Sequence, residues 1–289
     1  MSHKELAPSA LPICASLAIL LIALGIVNWL HSAWFGPYLF FLGLGAMIVI
    51  AGFWFYAAIC DDVGVTEAEY AQSDLNYRWS MGWFIFSELW FFIAFFGVLF
   101  YVRAISLPRL SGTGSGDYMT HYLLWPSFTN QWPLLNTPDP SRYLGPDAAM
   151  QAWGIPVVNT LILLTSGLTI TFAHWGIVRG RNRQALFWQL VTVILGSVFL
   201  GFQVYEYYEA YQHLDMRLNS GVYSNVFYVM TGFHGVHVFL GTIMLLVIAY
   251  RIYREDFSPH DHFAFEATSW YWHFVDVIWL LLFVFVYWL

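Results

Sequence analysis

The chain has 289 residues, of which 59% are apolar, 20% aromatic and 10% charged, with a formal net charge of −7 at pH 7. Water could not keep that composition dispersed, so the chain reads as an integral membrane protein, and its acidic balance argues against a nucleic-acid partner. Long apolar runs, rather than alternating segments of about ten residues, point to helices and away from a β-barrel.

A polar head ends at Pro8, and the apolar run after it, about 11 to 30, is too long for a typical signal-peptide core. It is expected as a retained first helix. A turn at Phe35, Gly36 and Pro37 leads into a second run, about 39 to 59, rich in small residues such as Gly43, Gly45, Ala46, Ala51 and Gly52. These two form a hairpin over about 10–60. Asp61, Asp62, Glu67, Glu69 and Asp74 are too polar for the bilayer, so 61–77 is expected as an acidic surface linker between two helical groups. Cys14 and Cys60 lie in or beside apolar runs without metal spacing and read as packing residues.

The third run, from about Met81 to Val102, is apolar and aromatic except for Glu88. At about 1.5 Å per residue a helix carries Glu88 roughly 15 Å beyond Arg78, near the middle of a hydrocarbon layer about 30 Å thick. A charge at that depth costs about 2.5–3.5 kcal/mol on insertion scales, so the neutral acid is expected. A hydrogen bond to a carbonyl or another helix would satisfy it, and a functional role is the other reading. No basic residue accompanies it in its own run.

After Arg103 a long loop, 104–152, carries an SGTGSG tract, several prolines, Trp125 and Trp132, with Trp153 just beyond it. The aromatics argue for a loop lying on the membrane or a partner rather than a flexible tether. Further helices are expected at about 155–178, 186–208, 225–253 and from about Phe265 to the C-terminus, giving seven spans. If the N-terminus is inside, Lys4, Arg78, Arg179, Arg181, Arg183, Arg251 and Arg254 are inside, and only Arg103, Arg109, Arg142 and Arg217 are outside. The positive-inside rule therefore favours an inside N-terminus and an outside C-terminus.

His234 and His237 stand three apart on one helix among Gly232, Gly235 and Gly241, a pair suited either to metal or to close packing with a bond across to a neighbouring helix. Glu206 and Glu209 share a helical face, yet His213 is four residues from Glu209, where a di-iron bundle wants Glu-x-x-His. A bis-His haem from His174, His234, His237 or His273 fails on depth, and no attachment motif is present. There is no P-loop, dinucleotide fingerprint or nucleophile elbow.

Two stretches, GVYSNVFYVMTGFHGVHVFLG (221–241) and HFAFEATSWYWHFVDVIWLLLFVFVYW (262–288), closely resemble cytochrome c oxidase subunit III. RWSMGWFIFSELWFF around Glu88, PVVNTLILLTSGLTITFAHW around His174 and EYYEAY around Glu206 resemble the same family in the same order. The first two helices match only in hydropathy. The resemblance implies an all-α membrane subunit of seven helices, a two-helix and a five-helix bundle with a lipid-filled cleft, in a bacterial inner membrane. It implies packing on catalytic subunit I beside copper-bearing subunit II, with haem and copper held by those partners, structural phospholipids, and no metal or catalytic centre in this chain. The family's membrane glutamate falls on Glu88, its helix-six histidines on His234 and His237, and its last-helix group on Trp272, His273 and Asp276.

Cys60, Asp61 and Asp62 replace the aromatic and basic residues that close the second helix in mitochondrial members, and the loop after Arg103 is longer, which suggests a bacterial variant. Alternatives are the corresponding subunit of a quinol oxidase and an independent haem or metal enzyme. Trp272, His273 and Asp276, with Glu206 and Glu209, are expected to make packing bonds across to other helices. Glu88 is expected near a proton or oxygen path. Arg251, Arg254, His260 and His262 are the expected phospholipid headgroup contacts.

Overall fold

The structure is a computed structural model that describes residues 9–61, 67–114, 118–142 and 144–289. Lys4, Asp62 and the end of the SGTGSG tract lie outside the described residues, as do the side chains of Cys60, Asp61, Glu67 and Glu69. The described residues are helical or irregular, with no strand among them. Seven of their helices are long and apolar enough to cross a membrane. The chain divides into two compact units, Met1–Leu75 and Asn76–Leu289.

In the first unit α1 (Leu11–Leu30) and α2 (Gly36–Asp61) form an antiparallel hairpin. Pro12 sits in the first turn of α1, where its missing N–H would have been unpaired in any case. Glycine permits the close approach of the two helices: a Cβ on Gly25 would lie 2.4 Å from the Phe40 backbone nitrogen, and one on Gly43 would lie 2.8 Å from that of Ile22. α3 (Glu67–Tyr101) crosses the boundary between the units. The acidic stretch expected as a linker is thus helical from Glu67 onward. Polar side chains exclude a segment from the bilayer, but Glu, Ala and Gln are good helix formers and extend the helix beyond it.

α3 runs on through a π-helical turn, Val102–Ser106, and one α-turn, Leu107–Leu110, so the long loop begins after Leu110 rather than after Arg103. Among its described residues α4 (Tyr118–Leu124) is helical, and parts of the rest pack inward. Phe128, Leu134 and Met150 are buried. The Asp147 amide donates to the Leu214 carbonyl at 3.0 Å, and the Met150 amide donates to the Tyr223 hydroxyl at 3.3 Å.

α5 (Ile155–Val178), α6 (Asn182–His213), α7 (Val222–Tyr253) and α8 (Phe263–Leu282, continued by a π-helical segment, Phe283–Trp288) follow. Each packs on the next and α8 returns to α5, closing a four-helix ring. Its interior holds Phe199, Phe227, Trp272 and Trp279, all fully buried. A Cβ on Gly176 would lie 2.8 Å from the Ala185 backbone nitrogen, so the two backbones approach closely where α5 turns into α6.

Candidate functional site

Trp272 is the centre of the ring. Its indole lies between Gly196 of α6 and Gly241 of α7, where an added Cβ would come within 2.7 Å and 3.0 Å of ring carbons. The indole N–H donates to the Ser166 hydroxyl of α5 at 2.9 Å. One side chain on α8 therefore ties together three neighbouring helices. Two turns further on, the Trp279 N–H donates to Thr160 of α5 at 3.0 Å. Asp276 is buried against Gly167, while His273 is nearly half exposed and faces Asp276 on its own helix, Nδ1 to Oδ2 3.8 Å. Trp272 and Asp276 lie on the buried stripe, and a step of about 100° from Trp272 turns His273 toward its edge, where the ring borders Gly167 of α5.

Glu88 has the basic partner that its own run lacks. His237 Nε2 lies 2.9 Å from Glu88 Oε2, linking α7 to α3. The other ring nitrogen, Nδ1, is 2.7 Å from the Phe233 carbonyl, which can only accept, so Nδ1 carries a proton. A proton is consequently shared between Nε2 and the carboxyl, as a neutral acid on a neutral imidazole or as a carboxylate on an imidazolium. Phe91 and Phe92 pack against the His237 ring, and the Tyr271 hydroxyl approaches the His237 carbonyl at 3.4 Å.

His234, one turn earlier, has a different fate. It is fully buried, its ring stacked on Trp279 at 5.2 Å and edge-on to Phe199 at 5.8 Å, with no hydrogen-bond partner among the described residues. It packs through its ring face rather than by bonding to another helix. Glu206 is fully buried near the Tyr287 hydroxyl, whereas Glu209 is only half-buried and accepts from Tyr205 on its own helix at 3.4 Å. Of the two, Glu206 faces the last helical segment and Glu209 stays with its own helix.

At the end of the ring that carries the basic turns, Glu266 gathers three partners. Arg78 of α3 binds its Oε2, and His262 and His174 face its Oε1 at 3.3 Å and 3.7 Å. His262 thus turns toward Glu266 at the start of its own helix. Arg78, His174 and Glu266 were not singled out as a group from the sequence. The one local signal was the spacing of four between His262 and Glu266 at a helix start. Arg251 and Arg254 flank Asp256 at 3.8 Å and 3.9 Å, and Arg251 lies over the Phe257 ring. Tyr250 and Asp256 raise the Arg254 guanidinium above its ordinary value. His260 is exposed in the turn between α7 and α8.

A seven-span helical protein in which several buried polar side chains bond from one helix to the next defines the class: a polytopic membrane protein packed through its helix faces. The family model described as cytochrome c oxidase subunit III matches residues 2–137 and 143–289. The chain is 38% identical to cytochrome c oxidase subunit 3 of Marchantia polymorpha, over 97% of this chain and 94% of that protein. It is 35% identical to that of Triticum aestivum, over 99% and 96% of the two chains. With the probable cytochrome c oxidase subunit 3 of Rickettsia felis it shares 35% identity over 97% of this chain and 92% of the other. The chain belongs to the cytochrome c oxidase subunit III family.

Proposed function

We propose that this chain is the non-redox third subunit of a cytochrome c oxidase in a bacterial inner membrane, N-terminus inside and C-terminus outside. In this reading it packs on catalytic subunit I, beside copper-bearing subunit II, stabilises them while they reduce oxygen and pump protons, and binds structural phospholipid. Haem and copper belong to the partners. The carrying observation is the family match along nearly the whole chain. The orientation draws support from Arg78, which meets Glu266 at the start of α8, on the side of the turns bearing Arg179, Arg181, Arg183, Arg251 and Arg254.

Glu88 and His237 are the groups we assign to proton handling or oxygen access toward the catalytic subunit, because their shared proton lies deep in a span and joins α3 to the ring. Neither enters the chemical step. Affinity capture of this chain from detergent-solubilised membranes tests the whole reading. The eluate should carry haem and copper in separable subunits and oxidise cytochrome c; a Soret band that stays with the isolated chain, or oxidation of quinol but not of cytochrome c, would overturn it.

A further inference from the structure

We propose that His174, His262 and Glu266 form a binding site for a divalent transition-metal ion of the zinc type. One nitrogen from each imidazole and one carboxylate oxygen all lie within 4.8 Å of one another. Ligand atoms at about 2.0–2.1 Å around a tetrahedral ion stand roughly 3.4 Å apart. The separations from Glu266 Oε1, 3.3 Å to His262 Nε2 and 3.7 Å to His174 Nε2, are close to that edge length.

The hydrogen bonding around the group points the same way. His262 Nδ1 lies 3.1 Å from the Ser258 carbonyl, so it is the donor, and in the neutral ring the Nε2 lone pair faces the carboxylate. His174 Nε2 is buried without a hydrogen-bond partner and faces the same oxygen. A proton on one imidazole would satisfy one of these approaches; a cation satisfies both. Arg78 occupies the outer oxygen Oε2 and leaves Oε1 for the ion, the arrangement in which an outer partner orients a ligating carboxylate. Two imidazoles with one carboxylate select zinc-like ions over magnesium or calcium, and the side chains are only partly covered, leaving a fourth position for water. The ion would clamp the end of α5 to the start of α8 on the face that carries the arginine turns.

The test uses the complex as it is purified, with whatever subunits accompany this chain, so its outcome does not depend on which electron donor the complex uses. After removal of loose metal with a chelator, the complex is titrated with Zn2+ and bound zinc is counted by mass spectrometry. Wild type should hold one equivalent more than His174→Phe, which keeps the ring stacked on Phe265 but removes the ligand. Metals of the other subunits cancel in the difference. Equal uptake by the two would overturn the site. If the variant complex fails to assemble, a density map of zinc-loaded wild type decides: zinc between the three side chains supports the site, and zinc elsewhere only, or none, overturns it.

Discussion

The hairpin of α1 and α2 and the ring of α5 to α8 are both apolar enough to span a bilayer, but they are held together differently. The hairpin buries little beyond Ala18 and Gly25 in α1 and relies on backbones brought close at glycines. The ring adds hydrogen bonds between helices: Trp272 to Ser166, Trp279 to Thr160, Thr169 to Thr192, Tyr207 to Thr231 and Gln189 to the Leu245 carbonyl. Lipid is as apolar as leucine, so apolar surface alone does not choose a neighbour inside a membrane. Close glycine contact fixes one pair, whereas polar bonds in several directions fix the order of four helices.

The sharpest way to break this comparison is at Trp272. Trp272→Ala removes a fully buried ring wedged between two glycines and strips Ser166 of its donor, an expected loss of about 3–5 kcal/mol. Thermal unfolding and the yield of purified complex should both collapse. Gly25→Leu is the counterpart in the hairpin. It forces a side chain into the Phe40 backbone at an expected cost of about 1–3 kcal/mol, and increased hydrogen exchange should be confined to α1 and α2.

His234 and His237 sharpen the comparison within one helix. His237→Phe leaves the Glu88 carboxyl without its partner, a loss of about 1–3 kcal/mol that should appear as faster exchange in α3 and as an altered Glu88 carboxyl signal in the infrared, identified with Glu88→Gln. His234→Phe keeps the ring against Trp279 and Phe199 and should change stability by less than about 1.5 kcal/mol. If the two substitutions were equally damaging, hydrogen bonding would not distinguish these positions.

That pair also marks how far the sequence could be read. Hydropathy located the spans well: the expected helices at 11–30 and 155–178 coincide with α1 and α5 end to end. α6 and α7 begin several residues earlier than expected, at Asn182 and Val222, because hydropathy registers the bilayer edge while the helix continues past it. The partner of Glu88 was not legible, since it lies 149 positions away and no periodicity links the two. A spacing of three put His234 and His237 on one face, but that face is broad enough for one ring to enter the four-helix interior and the other to meet α3. The cluster around Glu266 joins α3, α5 and α8 through residues scattered from 78 to 266, and only the tertiary arrangement assembles it.

The smallest expected effect concerns lipid, where the two regions differ in charge. The sequence has no Lys or Arg from residue 5 to residue 77, so the hairpin offers phospholipid apolar and aromatic surface and, beyond the imidazole of His31, no basic side chain to hold a headgroup. The ring ends in arginines. Arg251 is half-buried over Phe257, and its contact with Asp256, at 3.8 Å, is too long for a hydrogen bond and is shared with Arg254. One carboxylate facing two guanidiniums leaves each arginine with N–H donors to spare, although Glu255 and Asp261 share the turn, and Arg can take phosphate oxygens bidentately. Arg251→Ala should therefore reduce the phospholipids that survive detergent purification by about one per complex, with a stability change below about 1 kcal/mol, since the ion pair it removes is long and only partly buried. Lipid phosphorus counted against haem reads this directly. An unchanged count, with Arg254→Ala also silent, would mean that these arginines serve orientation alone and that the ring is as indifferent to headgroups as the hairpin.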